Sequence, residues 1–338
     1  MGHKSLSREK ARILVIGCGS IGKRHIRNLQ VAGAREITAF DPREDRRREA
    51  GEGLGIRVFA DLEAAFAAGP DAVFVCSPTA FHREQSLRAV AAGSHVFIEK
   101  PVSDSLEGMD TLMEVVDRQG LVSLVGCNFR FHPGLRQVKS LLNSGSIGRT
   151  ISFRARFGHY LPDWHPWEDY RKTYSARRDL GGGVILDRVH EIDYARWLFG
   201  DVRQVFSWAG HESSLEIDTE DTAEILLGFR NGITGSLHLD YLRRRYDAGL
   251  EVTGEEGIIQ WSYQNHTVTW YEAGKGSWQS MRWPGYDGNK MYLDEVMHFL
   301  AALEGGEQSV NPVPDAVRVL EIALAAKRSS TDGCVVNL

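Results

Sequence analysis

Between residues 12 and 128, short apolar runs alternate with longer amphipathic ones, and no other feature of the chain restricts its fold so tightly. The runs are ILVIG from Ile13, EITAF from Glu36, RVFA from Arg57, AVFVCS from Ala72, HVFIEK from His95 and LVSLVG from Leu121. A strand that stays apolar residue after residue is buried on both faces, the condition of a parallel sheet with helices on either side. Stretches 21–32, 61–68, 81–92 and 105–119 read as those helices, several closed by a glycine. The pattern predicts a doubly wound α/β domain over residues 1–128.

Beyond Asn128 the pattern changes. A helix over 133–143 leads into longer alternating segments, and 150–157, 202–209, 222–229, 233–241, 250–253 and 258–263 read as six strands. Asn231-Gly232 predicts a two-residue hairpin turn between two of them, because that turn needs positive φ. Helices near 291–303 and 315–329 close the chain. At 338 residues the chain exceeds the roughly 250–300 at which one core stops growing. A second, α+β domain is expected over 129–338, with a large open, mainly antiparallel sheet and a last helix able to pack back on the first domain.

The formal charge of −5 offers no broad basic field, so neither nucleic acid nor a membrane surface is an expected partner. The short basic runs 46–48 and 243–245 read as solvated surface. Cys18, Cys76, Cys127 and Cys334 form no CxxC pair and read as reduced thiols. The opening MGHKSLSREK has no apolar signal core, and no long apolar run follows, so a soluble cytoplasmic protein is expected.

Gly17-Cys18-Gly19-Ser20-Ile21-Gly22 fits GxGxxG. Glycine is so frequent here that this spacing arises by chance roughly 0.4 times in such a chain, and the letters alone carry little. Their place carries more: they follow a buried-type strand, open an amphipathic helix, and precede a second strand ending in Asp41. In that Rossmann setting the glycines serve a tight turn, the approach of backbone to a pyrophosphate, and close helix packing. The helix N-terminus adds free N–H groups and partial positive charge. Asp41 is placed to accept from the adenosine ribose hydroxyls and to repel a 2′-phosphate, which favours NAD over NADP. Two features pull the other way: Asp41 could simply open a turn before Pro42, and Arg43 could accept a 2′-phosphate.

Glu99-Lys100-Pro101 ends the fifth strand, where ligands of doubly wound sheets bind. Four further segments stand out: Cys76-Ser77-Pro78-Thr79 after the fourth strand, Asn128-Phe129-Arg130-Phe131-His132-Pro133 at the domain crossover, Gly181-Gly182-Gly183, and the Asp187 and His190 that follow it. With these motifs over nearly its whole length, the chain resembles the Gfo/Idh/MocA family, the glucose-fructose oxidoreductase and inositol dehydrogenase relatives. The resemblance implies an NAD-dependent oxidoreductase moving a hydride between nicotinamide and a hydroxyl or keto carbon of a sugar, polyol or sugar derivative. It puts catalysis on Lys100, Asp187 and His190. Ser77, Pro78, Thr79 and His82 would bracket the cofactor, with Glu99, Lys100 and Asn128 beside the nicotinamide ribose. It also implies a homodimer or homotetramer formed through the open sheet.

A His suits the alcohol proton, a Lys the developing alkoxide, and an Asp the orientation of the His or a substrate hydroxyl; which group takes the proton stays open. Asp187 and His190 are three residues apart, which on a helix puts them on one face. The family's usual DxGxH spacing is four, so Glu191 competes with Asp187 for the carboxylate role. Arg130, Trp167 and Tyr170 join Lys100, Asp187 and His190 as substrate-binding candidates. The segment 164–171, rich in aromatics and acids, either stacks on sugar CH groups or clamps an interface. His159 and His165 lack partners at metal spacing, and no metal is expected. Two other activities compete with a reversible dehydrogenase: a lyase or glycosidase using retained NAD in an internal redox cycle, and a non-catalytic NAD sensor.

Overall fold

A computed structural model describes residues 6–338. In chain order the elements are β1 (Arg12–Ile16), α1 (Ser20–Val31), β2 (Glu36–Phe40), α2 (Glu44–Leu54), β3 (Arg57–Phe59), α3 (Leu62–Ala67), β4 (Ala72–Val75), α4 (His82–Ala91), β5 (His95–Glu99), α5 (Met109–Gln119) and β6 (Ser123–Gly126). Then come α6 (Pro133–Asn143), β7 (Thr150–Gly158), α7 (Val184–Asp187), α8 (Val189–Phe199), β8 (Val202–Gly210), β9 (Thr222–Phe229), β10 (Thr234–Asp240), β11 (Asp247–Gly254), β12 (Gly257–Ser262), β13 (Thr267–Glu272) and β14 (Ser277–Arg282). The chain ends with α9 (Asn289–Leu303), α10 (Val313–Asp332) and β15 (Val336–Asn337).

These elements form two compact units. The first joins residues 6–128 to Gly288–Val317, and the second joins Phe129–Asp287 to Arg318–Leu338. In the first unit six parallel strands run in the order β3-β2-β1-β4-β5-β6. β4 and β6 are buried at every residue, and β5 at all but its first, which is why they read as unbroken apolar runs. The return segment matters to this core: Val296, Phe299, Leu300 and Leu303 of α9 pack with Ile13 and Val15 of β1 and with Ile26 and Leu29 of α1. Asn311 locks the segment further, accepting from the Val125 amide and donating to the Val125 carbonyl.

The second unit holds a nine-stranded sheet, β14-β13-β12-β11-β7-β10-β9-β8-β15. It is antiparallel except where β7 and β10 run side by side in parallel. The sequence pattern showed six of these strands as one antiparallel set. β14 escaped it because five of its six residues are exposed, and an outermost strand with little to bury has no apolar alternation. Elsewhere alternation is clear: Ala223, Ile225, Leu227 and Phe229 of β9 point inward, while Glu224 and Leu226 point out. The β9–β10 turn also differs from expectation. Among the described non-glycine residues only His266 has positive φ, so Asn231 does not, and Gly232 alone bends the chain at φ 88°. Phe229 donates to Ile233 O and Gly232 to Phe229 O, a three-residue loop with its glycine in the left-handed position. Among the described residues no helix is long and apolar enough to cross a membrane.

Candidate active site

The nucleotide side is built from the carboxyl ends of β1, β2, β4 and β5. Gly17 turns the chain at φ 100°, and a Cβ there would sit 2.7 Å from the Cys76 carbonyl oxygen. At Gly22 a Cβ would lie 1.8 Å from the Gly17 oxygen. The fold itself therefore demands both glycines. Gly19 is different, since a Cβ there would meet nothing nearer than Arg46 Nη1 at 3.8 Å. It is the N-cap of α1 and offers no side-chain cap, so no capping side chain takes the first N–H groups of that helix, at Ser20, Ile21 and Gly22. A pyrophosphate explains a glycine that packing does not require, and the residues present fit a dinucleotide there.

Asp41 sits at the end of β2 and is buried. Its two oxygens accept from the backbone N–H groups of Cys18, at 2.8 Å, and Arg43, at 2.9 Å. The turn-opening reading is visible: the carboxylate opens a turn before α2, and it also ties β2 to the glycine loop. Arg43 pairs with Asp45. Burial, then the Asp41 charge, pushes the Cys18 thiol up to about 12, leaving it inert.

Ser77 donates to Gln85 Oε1 at 2.7 Å, and Thr79 is buried. His82 is fully enclosed with one ring nitrogen 2.8 Å from the Ser77 oxygen and the other 2.8 Å from the Pro101 oxygen. It braces the loop after β4 against the loop after β5, and Pro78 lies within the braced turn. Burial lowers its pKa more than the two carbonyls raise it. Glu99 is buried at the end of β5, and its Oε2 accepts from the Lys100 amide at 3.2 Å. Lys100 is partly exposed. Asn128 is buried, and its Oδ1 has no hydrogen-bond partner within the protein. A ligand donor would satisfy it.

In the second unit, Gly181 and Gly183 adopt positive φ, and a Cβ on Gly183 would lie 2.5 Å from Glu220 Oε1. Asp187 does not share a helical face with His190. α7 ends at Asp187, Arg188 leaves the helical region at φ −101° and ψ 34°, and α8 starts at Val189. Asp187 is held by three hydroxyls: Ser175 at 2.8 Å, Tyr241 at 3.1 Å, and Tyr174. His190 instead lies edge-on to the Phe129 ring at 5.1 Å. Glu191 is fully buried and takes Arg188 Nη2 at 3.1 Å. That guanidinium also lies 3.4 Å over the Phe157 ring.

Arg130 is buried in a bidentate pair with Asp193 of α8, with bonds of 2.7 and 3.0 Å. Tyr170 accepts the Glu216 amide at 3.2 Å, and Trp167 is 76% exposed, beside His165. Trp164 stacks on His159 at 5.6 Å. Sequence reasoning missed Tyr174, Ser175, Tyr241 and Asp193, which lie outside any short motif. It also missed His25 of α1, fully buried with Nε2 2.5 Å from Glu99 Oε1.

A 3-2-1-4-5-6 parallel sheet with a glycine turn, an uncapped helix and a buried acid after the second strand defines a dinucleotide-binding oxidoreductase fold. The chain belongs to the Gfo/Idh/MocA family: residues 11–127 match its oxidoreductase, NAD-binding Rossmann fold profile and residues 135–260 its C-terminal domain. It is 31% identical to the myo-inositol 2-dehydrogenase of Thermotoga maritima, the match covering 97% of this chain and 98% of that protein. It is 28% identical to the scyllo-inositol 2-dehydrogenase (NAD(+)) of Bacillus subtilis, covering 97% and 96%. An Agrobacterium radiobacter oxidoreductase, solved in complex with NAD+, L-tartaric acid and magnesium, shares the fold with a TM-score of 0.86 at 22% identity, covering 97% and 98%.

Proposed function

We propose that the protein is an NAD-dependent dehydrogenase of a cyclic polyol or sugar, with inositols as the leading substrates. The observation that carries this is end-to-end likeness to two inositol dehydrogenases; the resemblance read from the motifs puts the catalytic roles on Lys100, Asp187 and His190. When bound, the nicotinamide supplies the hydride acceptor. His190 takes the alcohol proton, and Lys100 donates a hydrogen bond to the developing alkoxide. Asp187, saturated by three hydroxyls, holds Tyr174, Ser175 and Tyr241 in place. Arg130 fixes α8 through Asp193 and reaches substrate only through that helix. Asp41 selects NAD over NADP. Trp167 and Tyr170 contribute to recognition from the segment before the glycine triplet.

The test is NADH absorbance across a panel of inositols, pyranoses and nucleotide sugars. Stoichiometric NADH release with one class is expected. Substrate consumed without net NADH would replace this reading by an internal redox cycle. Lys100→Ala and His190→Ala should each lower turnover by about 10² to 10⁴ while NAD binding stays nearly intact. Since residues acting together are non-additive, the double variant should be little worse than the poorer single one.

We further place the protein in a reducing, cytoplasmic compartment, consistent with four free cysteines. A second copy of the chain is taken to cover the outward face of the nine-stranded sheet, where Trp208 is 72% and Leu226 56% exposed.

A further inference from the structure

His25 lies on the buried stripe of α1 with Gly22, Ile26 and Leu29, at a position where an aliphatic side chain would serve packing as well. Its ring is walled by Phe97 at 4.9 Å, Phe74 at 5.7 Å and Tyr292 at 6.4 Å. Within this apolar cage it makes one polar contact, Nε2 to Glu99 Oε1 at 2.5 Å, and Nδ1 is buried without a partner. An imidazolium would leave an N–H at Nδ1 orphaned, whereas the neutral Nε2–H form leaves only a lone pair there. The cage therefore selects a neutral ring donating from Nε2, and a carboxylate as its acceptor. The second Glu99 oxygen receives the Lys100 amide.

We propose that His25 is a positioning residue for the Glu99-Lys100-Pro101 turn: it keeps Glu99 ionised and aimed, so that the carboxylate holds the Lys100 backbone and keeps an opposite charge beside its ammonium. The role in turnover rests on the dehydrogenase reading above; the Nε2–H to Glu99 link does not. Burial pushes Glu99 up, but the hydrogen bond from His25, the Lys100 charge and the Lys100 amide act the other way, and the carboxyl stays below its ordinary value. The other ionisable groups around the pair are Cys76 after β4, His82 of α4, Arg24 of α1, and Tyr292 and Glu295 of α9. Burial raises Cys76 and Tyr292 and lowers His82, so all three stay neutral near pH 7.

The sign follows from the carboxyl. Without the His25 donor, Glu99 protonates at higher pH, so activity is lost from the acid side. His25→Leu should move the acid limb of kcat/KM to higher pH than in the wild type, so that the loss at pH 6 relative to pH 9 is about tenfold deeper in the variant. His25→Gln, whose amide nitrogen can sit near the Nε2 position, should restore the wild-type acid limb. In parallel, histidine-selective 15N NMR of the NADH-loaded protein, assigned by the signal missing from His25→Gln, should show Nε2 protonated and Nδ1 bare from pH 6 to 9. An unshifted acid limb in His25→Leu, a His25→Gln variant that behaves like His25→Leu, or a protonated Nδ1 overturns the proposal. The NMR result decides even if His25→Leu fails to fold. It also separates the two readings, because it needs no substrate: if no alcohol is oxidised, the dehydrogenase reading fails while the tautomer still tests the link.

Discussion

Gly19 and Gly22 are the same residue asked to do different things, and alanine should separate them. A Cβ at Gly22 overlaps the Gly17 carbonyl, so Gly22→Ala should cost at least about 1–3 kcal/mol of stability in urea unfolding. A Cβ at Gly19 meets almost nothing. Gly19→Ala should unfold at nearly the wild-type urea concentration yet bind NADH at least about tenfold more weakly by fluorescence titration, since one methyl group intrudes where backbone must approach pyrophosphate. Equal NADH affinity would remove the cofactor from that turn. Asp41 calls for a gentler change than alanine, because both its oxygens hold backbone amides. Asp41→Asn keeps one acceptor and loses the charge, so the preference for NAD over NADP should narrow, at a cost of about 1–3 kcal/mol for the backbone N–H left without its acceptor. The candidate nucleotide residues stood out in the sequence because each belongs to a local motif whose spacing follows from backbone geometry. His25 was not: one histidine on a buried helical stripe looks like any core position until β5 brings Glu99 beside it.

At the scale of elements, the junction of α7 and α8 shows what spacing alone conceals. Three residues separate Asp187 from His190, and on a continuous helix they would point the same way. Instead Arg188 leaves the helical region, and Asp187 turns to Tyr174, Ser175 and Tyr241. Those partners come from the preceding loop and from the residue after β10, too far along the chain for periodicity to register. Glu191, the rival carboxylate by spacing, is taken by Arg188. Asp187→Asn should therefore disturb a three-hydroxyl network and lower turnover, and Glu191→Gln should act chiefly on stability; the reverse pattern in steady-state rates and melting curves would transfer the catalytic role to Glu191. The Arg130–Asp193 pair makes the same point energetically. Both side chains are buried, so Asp193→Ala strands a guanidinium and should cost about 3–5 kcal/mol in chemical unfolding.

For the molecule as a whole, the sequence pattern placed the change of architecture at Asn128, and the first unit's leading segment ends there. The last helix was expected to be able to pack back on that unit, whereas the segment that joins it is Gly288–Val317 with α9, and α10 beyond Val317 belongs to the second unit, because an amphipathic helix does not state which core its apolar face will join. The sheet of the second unit poses the remaining question. Its inward face is filled by residues such as Leu237, Leu239 and Ile225, while the outward face carries Trp208, Leu226, Arg154 and Arg156. Cross-strand neighbours on that face run Trp208, Glu224, His238 and Arg156, an aromatic followed by an acid and then two basic groups. Such a row suits an isologous contact, in which the acidic and basic groups of one copy meet their opposites on the other around a two-fold axis. Leu226→Arg adds a charge to this face at a side chain that is 56% exposed. It should convert a dimer or tetramer to smaller species in light scattering at micromolar concentration while leaving the melting of the Rossmann unit nearly unchanged. A wild-type protein that is already monomeric under those conditions would rule out the contact, and a Leu226→Arg variant with undiminished mass would move the interface elsewhere.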